Sequence, residues 1–213
     1  MDRGPEASGR SRREGGERPS GEALRPAIFL DRDGTVNEEV GYINHVERLR
    51  LLPRTAEAIR RINASEFLAV IVTNQAGVAR GYFKEQMIRD VHQRLVELLA
   101  EQDAQLDGIY YCPHHPSVGE PPYRRDCDCR KPRPGLVLAA AAELGIDIDR
   151  SFMVGDKYSD VEFAHTLSIP GVLVRTGYGA GEIEQWSEGW TRQPDHVAED
   201  LLAAIQWILD DRR

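Results

Sequence analysis

A chain of 213 residues, 41% of them hydrophobic, is long enough to bury one sizeable core, so one α/β domain with a tail is expected. Its formal net charge of −8 argues against a general binder of nucleic acid or of anionic membranes, and no apolar run approaches the ~20 residues needed to span a bilayer. Three cysteines, all between positions 112 and 129, do not resemble a secreted disulfide framework, and no signal-type apolar region is present, so the expected setting is cytoplasmic.

Residues 1–25 are nearly devoid of apolar side chains and rich in Gly, Arg, Glu, Ser and Pro. Such a segment cannot bury enough surface to offset its ordering entropy, so it is expected to be a disordered, solvated tail. Its six arginines face five acids, which leaves almost no net charge for a basic arm. The folded domain is expected over 26–213.

From Pro26 onward short apolar runs alternate with helical patterns. Strands are expected at 27–31, 67–73, 108–111, 151–155 and 171–175. Helices are expected over Thr55–Ala64 and over Lys84–Glu101, where Met87, Val91, Leu95 and Leu98 recur at intervals of three or four. Pro134–Leu144 has proline at its start and Gly145 just past its end, and a last helix spans Ala198–Leu209. Strands alternating with helices give a Rossmann-like parallel sheet with helices on both faces. In such open sheets ligands bind beyond the carboxyl ends of the strands.

The unusual residues fall at those ends. The first strand runs into Asp31-Arg32-Asp33-Gly34-Thr35, the second into Thr73-Asn74-Gln75, and the fourth into Gly155-Asp156-Lys157, with Asp160 beyond. Arg130-Lys131-Pro132 precedes the third helix. Acids beside basic residues on one rim suggest a divalent cation and a phosphate held together.

The DxDGT segment, the strand-terminal TN, the lysine before a helix and the GDKxxD segment together resemble the four motifs of the haloacid dehalogenase (HAD) superfamily of phosphohydrolases. The match in order and spacing runs from about residue 27 to 180. The resemblance implies that Asp31 is a nucleophile forming an aspartyl-phosphate, while Asp33 protonates the leaving oxygen and then takes a proton from water. It places Mg²⁺ on Asp31, the backbone carbonyl of Asp33 and Asp156, and the transferring phosphoryl group on Thr73 and Lys131. Asp160 has two readings, a carboxylate orienting Lys131 or Asp156, or a cap of the next helix. Lys157 stands where relatives touch substrate.

Cys112-Pro113-His114 and Cys127-Asp128-Cys129 form C-x-H and C-x-C pairs. Three thiolates and an imidazole make a closed tetrahedral Zn²⁺ set with no position for a catalytic water, hence a structural zinc-binding loop over 112–129. Spacing alone does not separate His114 from His115; the family pattern points to His114. The loop and the following CRKPRPG resemble the branch that acts on D-glycero-D-manno-heptose 1,7-bisphosphate, whose near neighbours are histidinol-phosphate phosphatases. That branch implies substrate contacts from Glu39, Val40, Gly41, Tyr42, Asn74 and Gln75, and recognition of the uncleaved phosphate by Arg130.

The short intervals between motifs leave no room for a large cap domain, so an open site is expected, formed by loops 36–46, 75–83 and 112–130. The expected activity is Mg²⁺-dependent removal of the 7-phosphate from a small phosphorylated sugar by a monomer, without nucleic-acid or membrane partners. The alternatives are a histidinol-phosphate phosphatase and a non-catalytic phospho-ligand module. His92, His165, His196 and the three tryptophans are expected to be packed or solvated, and Gly177-Tyr178-Gly179 to be a rim turn without chemistry.

Overall fold

The computed structural model describes residues 23–210, so the expectation for the tail concerns residues that lie almost wholly outside it. Six parallel strands form one sheet in the order β3-β2-β1-β4-β5-β6. They are β1 (Arg25–Leu30), β2 (Leu68–Asn74), β3 (Gly108–Cys112), β4 (Ile146–Gly155), β5 (Gly171–Val174) and β6 (His196–Ala198). The crossovers carry α1 (Thr55–Asn63), α2 (Glu85–Ala100), α3 (Gly135–Leu144), α4 (Tyr158–Thr166) and α5 (Gly179–Trp186), and α6 (Leu201–Asp210) follows the last strand. Among the described residues no further domain is inserted between these elements.

Both faces of the sheet are buried, which is why the strands read as unbroken apolar runs. Within β1, Ile28 and Leu30 point into a core with Ile59 and Ile62 of α1, Val91 and Leu95 of α2, and Leu201 and Ile205 of α6. Ala27 and Phe29 point the other way, toward Val137 and Ala140 of α3 and Phe163 of α4. The strand that ends in the two acids is therefore held from both sides and is a rigid support for them.

Differences from the sequence expectations have local causes. β4 begins at Ile146 rather than 151, because Ile146-Asp147 pair with Arg25-Pro26 before the register shifts between Pro26 and Ile28. β6 has only three residues, too few for a periodic signal, and it takes the place of the expected start of the last helix. There His196 stacks on Trp207 with ring centroids 4.5 Å apart, packing the end of the fold. Trp186, by contrast, is 62% exposed.

At the β1–β4 irregularity a side chain repairs the ladder. Ser151 Oγ accepts from Ala27 N at 2.9 Å and donates to Asp147 O at 2.6 Å, and Ser151 is fully buried. Ser151→Ala strands the Ala27 N–H without a partner, at a cost of about 1–3 kcal/mol. Thermal unfolding should show the midpoint lowered by about 2–4 °C per kcal/mol; an unchanged midpoint would contradict this role for the serine.

Candidate active site and cysteine cluster

The strand order reverses between β1 and β4, so a crevice opens where the two neighbouring strands send their chains to opposite sides. β1 delivers Asp31 and Asp33 to this crevice, and β4 delivers Asp156. Asp160 reaches it from the first turn of α4. Lys131 arrives from the β3–α3 loop, where the Asn74 side chain fixes it by donating to Lys131 O at 3.1 Å and accepting from Lys131 N at 3.0 Å.

Lys131 is buried and donates to Asp31 Oδ1 and to Asp160 Oδ1, both at 2.6 Å. Carboxylate oxygens of Asp31, Asp156 and Asp160 all lie within 4.8 Å of one another. One buried lysine does not balance three buried acids. Burial raises the Asp31 carboxyl to about 6, with Lys131 opposing and the Asp160 charge reinforcing the shift. Burial, followed by the Asp31 and Asp160 charges, raises Asp156 to about 8.

The donors around these acids show where the missing positive charge belongs. Asp160 has both oxygens engaged, Oδ1 by Lys131 and Oδ2 by Lys157 N at 3.3 Å, so it both orients the lysine and caps α4. Asp156 Oδ2 accepts from Tyr178 N at 2.9 Å, but Asp156 Oδ1 is buried without a partner. An orphaned carboxylate oxygen beside Asp31 fits a hard divalent cation with oxygen ligands. The backbone closes around Asp156: a Cβ on Gly34 or Gly177 would lie 2.1 or 2.2 Å from Asp156 Oδ2, and both residues have positive φ, so glycine is required at each.

Asp33 sits differently. Its carboxylate accepts from Arg32 Nη2 at 2.8 and 2.7 Å, from Asn37 Nδ2 at 2.9 Å and from Gln75 Nε2 at 2.8 Å. Burial pushes its carboxyl up, but the Arg32 charge and these hydrogen bonds outweigh burial and hold it below the usual range. Asp33 is therefore a carboxylate in the free protein.

A cleft of about 310 Å³ lies over these groups, a size that suits a small ligand. Of the residues expected to contact substrate, Glu39, Gly41, Tyr42, Asn74, Gln75, Arg130 and Lys157 line it, and Thr73 lies at its floor. Val40 does not; it packs half-buried against the core. Glu39 accepts from Gly41 N at 2.6 Å and stands 3.8 Å from Lys157, whose ammonium lies 4.4 Å from the Tyr178 ring centroid. Arg130 donates to His114 O at 3.1 Å, which ties the mouth of the cleft to the cysteine loop.

Four residues to which the sequence reading gave no role also line the cleft, Ala76, Arg80, Ser159 and Tyr178. Arg80 ends the segment after the second strand and gives the rim a further cation. Tyr178, expected to lie in a turn without chemistry, holds Asp156 through its backbone N–H.

Cys112, His114, Cys127 and Cys129 converge, with sulfur–sulfur separations of 3.2–3.5 Å and His114 Nδ1 3.3 Å from Cys129 Sγ. Four donors at such mutual spacing outline a tetrahedron whose centre lies roughly 2 Å from each, close to zinc–ligand distances. Hydrogen bonding from Cys112, opposed by burial and aided by His114, lowers the Cys129 thiol to about 5. His115 faces away: its Nδ1 accepts from Ser117 N and Val118 N at 3.2 and 3.1 Å. The cluster could hold zinc through His114, not His115.

The acid cluster makes cation binding pH-dependent. Asp156 moves from 3.8 to about 8 on folding, so between those values the folded chain keeps a proton that the unfolded chain releases. Across that window rising pH lowers the stability of the metal-free protein through this group, while a cation, which prefers the ionised form, binds better. Thermal unfolding with and without Mg²⁺ should show a larger stabilisation at pH 8 than at pH 6. Equal stabilisation at both would contradict the assignment.

Comparison with known proteins agrees with the geometry. A family described as HAD-hydrolase-like matches residues 128–204. The chain is 44% identical over 188 residues to a D-glycero-D-manno-heptose-1,7-bisphosphate 7-phosphatase of Thermosynechococcus vestitus, covering 86% of this chain and 95% of that one. It is 45% identical over 153 residues to a D-glycero-beta-D-manno-heptose-1,7-bisphosphate 7-phosphatase of Escherichia coli K12, covering 71% and 80%. The crystal structure of the D,D-heptose 1,7-bisphosphate phosphatase from B. bronchiseptica, complexed with magnesium and phosphate, superposes with a TM-score of 0.75 at 31% identity, covering 87% of this chain and 99% of that one. The chain belongs to the heptose-1,7-bisphosphate 7-phosphatase family of HAD-like hydrolases and is a phosphatase.

Proposed function

We propose that the chain hydrolyses the 7-phosphate of D-glycero-D-manno-heptose 1,7-bisphosphate, giving heptose 1-phosphate and inorganic phosphate through an aspartyl-phosphate at Asp31. The observation that carries this reading is the pairing of Asp31 with Lys131 at the floor of a cleft whose mouth holds Arg80, Arg130 and Lys157. A bisphosphate needs one anion site at the chemistry and a second beyond it, and the cations are distributed that way.

Lys131 grips Asp31 Oδ1, which leaves the other carboxylate oxygen to attack phosphorus. As the bond from phosphorus to the sugar oxygen breaks, its electron pair stays on that oxygen, which takes the proton of Asp33. Arrival of a phosphoryl group brings negative charge toward Asp33 and favours its protonated form. In the second half of the reaction the Asp33 carboxylate removes a proton from water as the water attacks the acyl phosphate and releases Asp31. Thr73 and Lys131 contact the phosphoryl oxygens, and Arg130 takes the uncleaved phosphate as a bidentate partner. Mg²⁺ on Asp31, Asp156 and the Asp33 carbonyl would supply charge neutralisation at the phosphoryl group when bound.

Zinc on Cys112, His114, Cys127 and Cys129 would fix the loop that carries Arg130, a structural role consistent with a closed ligand set. The three cysteines are gathered as a metal-ligand set and not paired in a disulfide, which suits a reducing compartment, and no helix among the described residues is long and apolar enough to cross a membrane. A cytoplasmic monomer is part of the same proposal.

Phosphate release with Mg²⁺ from the α- and β-heptose bisphosphates and from histidinol phosphate tests it. The kcat/KM for one heptose anomer should exceed that for histidinol phosphate by ~10²-fold or more, about 2.7 kcal/mol. Asp31→Asn should abolish turnover. A preference for histidinol phosphate would overturn the substrate while leaving the chemistry in place.

A further inference from the structure

Arg32, between the two active-site acids, is 1% exposed, one of the largest fully buried side chains of the protein. Its guanidinium donates to Asp33 through Nε and Nη2 and to Gln75 Oε1 at 3.0 Å. The remaining Nη1 lies 3.1 Å from His92 Nε2. A guanidinium has only donors, so His92 Nε2 must be the acceptor and the imidazole is neutral with its proton on Nδ1.

His92 occupies an unexpected place for a polar side chain. It lies in the buried stripe of α2 with Ile88, Val91, Leu95 and Leu99, is 2% exposed, and meets the Tyr111 ring edge-on at 5.3 Å. Packing alone would be served there by leucine or phenylalanine. What those residues lack is a lone pair for Arg32.

We propose that His92 is a positioning residue for proton transfer, acting through Arg32 to hold the Asp33 carboxyl where it can serve the leaving oxygen. The inference rests on the reading of Asp33 as the group that gives its proton to the sugar oxygen. Without His92 the buried Nη1 donors lose their acceptor, and Arg32 must move or admit water to regain one. Asp33, clamped by Arg32 on both oxygens, moves with it. The nucleophile does not share this support, because Asp31 is held by Lys131 from another loop.

The separation gives a test that a merely structural role would not pass. A sugar alkoxide needs a proton to leave, whereas the nitrophenolate of 4-nitrophenyl phosphate does not, so loss of acid positioning must appear in the ratio of the two rates. In His92→Phe the kcat ratio of 4-nitrophenyl phosphate to heptose bisphosphate should rise by about 10-fold or more, a partial loss of the roughly 10²–10⁴-fold that acid–base catalysis contributes. His92→Gln, whose Oε1 can accept near the position of Nε2, should restore the ratio. His92→Leu, matching its helical neighbours, serves if the phenylalanine variant does not fold. An unchanged ratio in His92→Phe or His92→Leu would overturn the proposal. Asp33→Asn separates the two levels: it must raise the ratio itself, and if it does not, the reading of Asp33 fails and takes the inference with it. If Asp33→Asn raises the ratio and the His92 variants do not, only the inference fails.

Discussion

The site depends on one electrostatic imbalance. Three carboxylates are gathered at the carboxyl ends of β1 and β4, and one buried lysine reaches two of them. Removing charges from water is costly unless each is paired, and here one pairing is incomplete. Asp156 carries the deficit, with a raised pKa and an oxygen that no protein donor reaches. A protein selected only for stability would place an apolar residue there. A protein that must hold a cation against a phosphoryl group needs the deficit, because it makes the bare site attractive to both positive charge and ordered ligand.

The sheet makes such an imbalance tolerable. β1 is buried on both faces by helices, so its end cannot fray to let the acids reach bulk water. Asn74 pins the lysine loop, and Gly34 and Gly177 let backbone close over Asp156 where any side chain would collide. The cysteine loop adds a second rigid frame at the cleft mouth, with Arg130 bonded to the carbonyl of the clustered His114. The cleft is thus bordered by short loops tied to rigid supports, and among the described residues no further domain is inserted over it.

Much of this was legible in the sequence because buried parallel strands read as apolar runs and their ends are punctuated by polar motifs. Asp31, Lys131 and Asp156 could be placed from that pattern, and the structure brings them together; the C-x-H and C-x-C pairs likewise converge. Other features had no local signature. β6 is three residues of a sheet edge, and its pairing with β5 exists only in the folded chain. Arg32 sits between two acids with no sequence signal for its burial, and the turn folds it inward against His92, which lies 60 positions away. His92 itself reads as packed or solvated, since periodicity records burial but not the partner that a buried polar atom finds. Tyr178 acts through its backbone, which no residue type announces.

The most direct test of the account is chemical capture of the covalent intermediate. The enzyme would be acid-quenched during turnover of heptose bisphosphate with Mg²⁺, reduced with borohydride, and mapped by peptide mass spectrometry. The account predicts homoserine in place of Asp31, with Asp33, Asp156 and Asp160 unmodified. Reduction at a different carboxylate, or unmodified Asp31 while phosphate is being released, would contradict it.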